Sequence, residues 1–167
     1  MIYPPKLLDR LEELTTDRFE GVVFRHMFAR LPWDRENIGG ARWNPPGTGA
    51  IYTALDRETV LAEVEYRISL EPLPPTKGRT LYELRVALTN VLDLRDWMVL
   101  EELGVRATHF SEPLSYDACQ QIGGAAVLIG CSGLLVPSAR RATGTNLVIF
   151  PSRMGDNDDC EQVGVAH

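Results

Sequence analysis

Arg42, Tyr52 and Glu63 fall within 22 positions of one another, and their side chains suit three separate chemical tasks. Arg42 lies in Gly40-Ala-Arg-Trp-Asn-Pro-Pro-Gly47, a loop whose glycines and prolines restrict its shape. A guanidinium on such a loop suits two-pronged contact with a phosphate or diphosphate. Tyr52 follows in Ala50-Ile-Tyr-Thr-Ala54. A tyrosine at a strand end can stack on a flat ring and still offer its hydroxyl. Glu63 is a carboxylate able to stabilise a positively charged, oxocarbenium-like centre. Anion binding, ring stacking and cation stabilisation are what breaking a nicotinamide–ribose bond requires. Each residue also has an ordinary alternative: a solvated loop arginine, a half-buried strand tyrosine, a surface helix glutamate.

Further polar candidates lie elsewhere in the chain. Arg25 sits mid-strand between Phe24 and His26, where a charge must face solvent, pair, or bind an anion. His26 points to the opposite strand face and reads either as a polar contact in the site or as a satisfied core histidine. Ser138 follows Pro137 in a turn, and Asn146 opens the next apolar segment. There is no G-x-S-x-G elbow around Ser138, and His26, His109 and His167 are the only histidines, so a serine hydrolase is poorly supported. Walker, G-x-G-x-x-G, C-x-x-C and H-E-x-x-H motifs are absent. Cys119, Cys131 and Cys160 lack metal-ligand spacing, so no metal is expected and reduced, incidental thiols are.

The elements that must position these residues read as follows. Pro4 to Leu14 is a short helix with Leu7, Leu8, Leu11 and Leu14 on one face. Gly21 to Phe28 alternates as a strand. Pro32 to Gly49 is a long loop of the kind that is often functional. Ala50 to Ala54 is a short strand, Asp56 caps a helix running to about Ser69, and Pro72, Pro74 and Pro75 end that pattern. At roughly 100° per residue, Glu63 and Glu65 are about equally marginal on either side of the face bearing Val60, Leu61, Val64 and Ile68, so helix geometry does not choose between them. Thr80 to Leu88 and Val91 to Leu94 are strands, and Asp96 caps a helix ending near Gly104. Tyr116 to about Ile129 is a helix whose Gly123, Gly124, Ala125 and Ala126 permit close packing. Gly133 to Pro137 and Asn146 to Phe150 are apolar strands around a polar turn. Residues 152–167, with Asp156, Asp158, Asp159 and Glu161, read as a frayed, acidic tail. Strands and helices mix without regular βαβ alternation, which points to an α+β domain over residues 1–151.

The 167 residues suit one domain, and the formal net charge of −6 argues against a dedicated nucleic-acid binder. A local arginine cluster can still bind a small anion. The N-terminal Met1-Ile-Tyr-Pro-Pro has no basic or apolar signal region, and the apolar run near Ala125 to Ile129 is too short to span a bilayer. A cytoplasmic protein without membrane contact is expected.

Five segments in order carry a resemblance: Gly40-Ala-Arg-Trp-Asn-Pro-Pro-Gly47, Ile51-Tyr-Thr-Ala54, Leu61-Ala-Glu-Val64, Val136-Pro-Ser-Ala-Arg140 and Thr145-Asn-Leu-Val-Ile-Phe150. Together they resemble the RES domain, named for an arginine, a glutamate and a serine. The resemblance implies an ADP-ribosyltransferase-like fold with central β-sheets flanked by helices, and the toxin half of a RES–Xre toxin–antitoxin pair. It matches Arg42, Tyr52 and Glu63 to the catalytic positions, which selects Glu63 over Glu65. It matches Arg25, Ser138 and Asn146 to positions that contact the dinucleotide, with Trp43 beside Arg42 in the same motif; His26 departs from the family's pattern and is taken as a further contact beside Arg25. The implied reaction is NAD+ degradation at the nicotinamide–ribose bond, with water or inorganic phosphate as acceptor. ADP-ribosyl transfer to a cellular protein is the alternative, and a non-catalytic dinucleotide-binding module is a further one. In the implied reaction Arg42 and Arg25 clamp the diphosphate and face the same ligand as Glu63. The implied partner is an Xre-type antitoxin covering the site, with a toxin homodimer by family analogy.

Overall fold

Asp56 shows how the local code works in this chain. Its carboxylate accepts a hydrogen bond from the Thr59 N–H at 2.8 Å, and a helix begins at the next residue. The computed structural model describes residues 2–71, 78–113 and 115–166, so the segment with Pro72, Pro74 and Pro75 lies outside the described residues. The elements in chain order are α1 (Pro5–Glu13), β1 (Thr16–Phe28), β2 (Ile51–Ala54), α2 (Arg57–Ser69), β3 (Arg79–Asp93), α3 (Trp97–Glu102), α4 (Asp117–Leu128), β4 (Gly133–Pro137), β5 (Thr145–Ile149) and β6 (Asp159–Ala166). The fold is mixed helix and strand in a single domain, as expected.

The strands run in the order β1-β2-β5-β4-β3-β6, and β1 also pairs with β3. That extra pairing closes β1, β2, β5, β4 and β3 into a ring. Inside it pack Val23, Ile51, Leu84, Val86, Leu88, Leu147 and Ile149, drawn from four strands. A second core lies between the sheet and helices α1, α3 and α4, around Leu11, Leu92, Leu100, Ile122, Leu134, Val148 and Phe150. Strand alternation divides β5 between the two: Leu147 and Ile149 go to one core, Val148 to the other. Among the described residues no helix is long and apolar enough to cross a membrane.

Three expectations change. β1 begins at Thr16 rather than Gly21, because the exposed Asp17, Arg18 and Glu20 are carried on a strand whose backbone pairs with β3. The two strands expected across Thr80 to Leu94 are one, β3. Its polar middle stays extended because the Asn90 amide donates to the Gly130 carbonyl at 2.7 Å and Asp158 accepts from the Thr89 N–H at 2.7 Å. The acidic tail is not frayed. Asp158 also accepts from the Gly155 N–H at 2.9 Å, and the turn it makes launches β6, which pairs antiparallel with Leu81 to Ala87 of β3. Charge density suggested solvation there. Backbone pairing needs only one edge of β3, and Cys160 packs on the inner core.

The small residues of α4 have a definite purpose. A Cβ built on Gly123 would overlap the Trp43 carbonyl oxygen, and one on Gly124 would overlap the Tyr3 hydroxyl. The helix therefore lies directly on the loop from Gly40 to Gly47. Gly123→Ala is expected to destabilise the fold by about 3 kcal/mol, the upper end of ordinary overpacking. Chemical denaturation would show this as a lower midpoint at unchanged slope.

Candidate active site

Glu63 occupies the third turn of α2, half-buried, while Glu65 is exposed. The strand register brings its partners to it. Ala54 lies opposite Asn146 across β2 and β5, and Pro137 lies opposite Thr145 across β4 and β5. The connecting turn therefore sits beside the start of α2. The approach is tight, since a Cβ on Gly144 would overlap the Thr59 side chain. Within this turn the Ser138 hydroxyl donates to Glu63 Oε1 at 3.2 Å. The same hydroxyl oxygen accepts from the Arg140 and Arg141 N–H groups, each at 3.2 Å. The Asn146 amide donates to the Thr53 carbonyl at 3.0 Å, and its side chain lies near enough to Glu63 to favour the ionised carboxylate. Burial raises the Glu63 pKa; the Asn146 and Ser138 hydrogen bonds and the charges of Arg67 and Arg140 pull the other way. The carboxylate is thus held by donors on one side, with Ser138 and Asn146 both buried. These two residues were expected to touch a ligand. The structure places both beside Glu63.

A cleft of about 420 Å³ opens beside Glu63. Its walls are the end of β1, the segment from Leu31 to Asn37, β2, α2 and the start of β3. Arg25, His26, Tyr52 and Glu63 all line it, so four of the expected site residues meet. Arg25 is only 6% exposed, and its terminal nitrogens donate to the main-chain carbonyls of Tyr52 (3.0 Å) and Arg35 (2.6 Å). It pins the cleft wall to β2 and stays cationic, although burial lowers its pKa to about 10. His26 Nε2 is buried without a hydrogen-bond partner. Burial first, then Arg79 and Arg67, push its pKa down to about 4, so the imidazole is neutral at physiological pH.

Tyr52 lines the cleft, while its side chain packs on the outer core and its hydroxyl is engaged there. It donates to Asn44 Oδ1 at 2.6 Å and accepts from the Trp43 N–H at 2.9 Å. Asn44, fully buried, donates in turn to the carbonyls of Thr48 (2.7 Å) and Asn37 (3.0 Å). The Trp-Asn-Pro-Pro loop thus hangs on one phenol, whose pKa burial raises well above its ordinary value. Tyr52→Phe leaves two buried groups unpaired and is expected to cost about 2 kcal/mol of stability, measurable as a lower midpoint in urea.

Arg42 and Trp43 depart from expectation, because neither lines the cleft. The Trp43 indole is 2% exposed and packs 6.2 Å from the Phe110 ring in the outer core. Burying so large an apolar surface outweighs offering it to a ligand. The Arg42 guanidinium lies over both Phe110 and Tyr116, its central carbon 4.7 Å from each ring centroid. Gly40 and Gly47 hold φ of +98° and +92°, turning the loop so that Arg42 faces these aromatics. Its Nη1 is buried without a hydrogen-bond partner, and burial lowers its pKa. Arg140 is an electrostatic neighbour of both Arg42 and Glu63. Of the two, Glu63 lines the cleft and Arg42 does not.

Residues the sequence reading missed include Arg67, which lines the cleft, and Arg140, which lies 3.3 Å over the Tyr66 ring. Arg67 stands four positions after Glu63 on the same helix, a spacing that places two side chains on one face. Arg140 carried no comparable signal, since turn conformation alone directs it over α2.

Comparison with known proteins follows the same outline. The sequence profile described as the RES domain matches residues 18–165, which includes β6. A chain of the crystallised M. tuberculosis MbcT–MbcA toxin–antitoxin complex superposes with a TM-score of 0.82 at 23% identity, covering 98% of this chain and 92% of that one. An anti-CRISPR protein aligns with a TM-score of 0.40 at 14% identity, over 90% of this chain and 99% of that one. No curated protein sequence matches at a significant level. With the profile spanning nearly the whole chain from β1 to β6, this protein belongs to the RES domain family.

Proposed function

We propose that the protein is the toxin of a toxin–antitoxin pair and that its cleft cleaves the nicotinamide–ribose bond of NAD+. The observation that carries this reading is Glu63, an acid half-buried at a cleft wall and held by Ser138 and Asn146. When the bond breaks, nicotinamide leaves as a neutral molecule with the bonding electron pair, and positive charge develops on the ribose. An oriented carboxylate in a site partly shielded from water stabilises that charge far better than a solvated one. The donors around Glu63 favour its ionised form against the effect of burial and hold it in place, so little reorganisation is needed as charge develops. In this reading the nicotinamide stacks at Tyr52, which lines the cleft. Water or inorganic phosphate then forms the new bond to the ribose carbon and releases a proton.

The toxin role draws support from family membership and from the toxin–antitoxin complex whose chain shares this fold. An Xre-type antitoxin that covers the cleft would silence it inside the cytoplasm, and Phe28, at the cleft and 39% exposed, gives such a partner an apolar purchase. Chromatographic analysis of NAD+ incubated with the protein, with and without phosphate, tests the reaction. Free nicotinamide with ADP-ribose identifies hydrolysis, and free nicotinamide with a phosphorylated ADP-ribose identifies phosphorolysis. Intact NAD+ in both samples contradicts the proposal.

A further inference from the structure

The cleft carries more positive charge than the chain as a whole would suggest. The protein's formal net charge is −6, yet Arg25, Arg35, Arg67 and Arg79 line this one cleft, against Glu36, Glu63 and Glu71. Two of these four guanidiniums are already engaged. Arg25 donates to two main-chain carbonyls, and Arg79 forms an ion pair with Glu71 at 2.8 Å. Arg67 differs. Among the described residues its guanidinium makes no hydrogen bond and no ion pair within 4 Å, although it is close enough to Arg25, His26 and Glu63 to act on all three electrostatically.

The same region has surplus hydrogen-bonding nitrogens. Arg25 Nε, His26 Nε2 and Arg79 Nε are all buried without partners, and all three residues line the cleft near Arg67. Glu36, Glu63 and Glu71 offset part of the positive charge, but buried polar nitrogens without partners are costly unless a ligand completes them. Position adds a second constraint. Arg67 lies one turn beyond Glu63 on α2, and four residues of helix rise about 6 Å. That is the order of spacing between the anomeric carbon of a ribose and the phosphate on its C5′. A dinucleotide with its anomeric carbon over Glu63 would thus present its diphosphate to Arg67.

We infer that Arg67 is the anion-binding residue of the cleft and contacts the diphosphate of the dinucleotide, an inference that rests on the proposed cleavage reaction. It moves the diphosphate contact away from Arg25, whose terminal nitrogens are occupied, and from Arg42, which lies outside the cleft. The competing explanation is structural: a cation in the last turn of α2 offsets the negative end of the helix dipole. That role affects stability and not ligand affinity.

Calorimetric titration with ADP, which carries the diphosphate but no bond to cleave, separates the two. Arg67 is exposed, so Arg67→Gln should keep the fold, checked by circular dichroism. Wild type is expected to bind ADP, and Arg67→Gln to bind it about tenfold more weakly, the loss of one charge-assisted fork. A weakening under about fivefold, or a wild type that does not bind ADP, overturns the inference. Nicotinamide release by the wild type, measured in parallel, judges the cleavage reaction separately. ADP binding that depends on Arg67 without any release would leave the anion subsite standing and remove the reaction. Release without such dependence would do the reverse.

Discussion

Glu63→Gln is expected to lower nicotinamide release by at least about a thousandfold while making the folded protein more stable at neutral pH. The activity loss follows from removing the only carboxylate that Ser138 and Asn146 orient toward the cleft. Electrostatic stabilisation by one preorganised group typically contributes about 10²–10³ in rate, and a full charge placed against a cation belongs at or beyond the top of that range. The stability gain has the opposite origin. Burial raises the Glu63 pKa above its ordinary value, so the folded state binds the proton more tightly than the unfolded chain. Stability from this group is therefore fully present below the ordinary carboxylate pKa and is lost as pH rises through the folded pKa. At neutral pH the ionised carboxylate costs stability, and a glutamine, whose carbonyl can still accept from Ser138, removes that cost. A gain of about 1 kcal/mol is typical when a functional group of this kind is neutralised. Thermal unfolding should show the variant melting higher at neutral pH, with the difference vanishing as pH falls below the ordinary carboxylate range. A variant of wild-type activity, or one equally destabilised at every pH, would show that Glu63 is a structural residue.

Ser138→Ala should lower kcat/KM by about 10- to 100-fold and move the acidic limb of its pH profile upward. The hydroxyl serves two ends at once. It donates to Glu63 and accepts from the Arg140 and Arg141 N–H groups, tying the turn to the helix. Without it the carboxylate loses a donor that favours its ionised form, so its pKa rises further and a larger fraction is protonated at neutral pH. The limb reports this directly. A purely structural serine would lower activity at all pH values without moving the limb. Ser138→Thr, which keeps the hydroxyl, should return the limb toward the wild-type position.

Much of the fold was legible because local signals and tertiary packing agree. Asp56 as cap and the apolar positions Val60 and Val64 placed α2 correctly, and its observed span is Arg57–Ser69. The apolar runs of β4 and β5 and the small residues of α4 were legible for the same reason. What failed shares one cause: sequence gives a residue's type more readily than its direction. Arg42 and Trp43 read as ligand contacts because of the loop around them. Two glycines at positive φ turn that loop so that the indole enters the core and the guanidinium meets Phe110 and Tyr116. Ser138 and Asn146 lie beside the Glu63 carboxylate and do not line the cleft. The acidic final segment read as solvated because its edge-strand pairing with β3 leaves little trace in side-chain pattern. Glu63 and Glu65 could not be separated by helix angle alone. Family resemblance chose Glu63, and the structure places that residue on the cleft and leaves Glu65 exposed.

The central claim is that the nicotinamide end of the dinucleotide lies against Glu63 in this cleft. The most direct measurement is a crystal structure of the Glu63→Gln variant soaked with NAD+, which the inactive protein should leave intact. The expected result is the nicotinamide ribose against residue 63, the ring against Tyr52 and the diphosphate toward Arg67. Density for the dinucleotide on the far side, at Arg42 with Phe110 and Tyr116, and an empty cleft at Glu63 would contradict it.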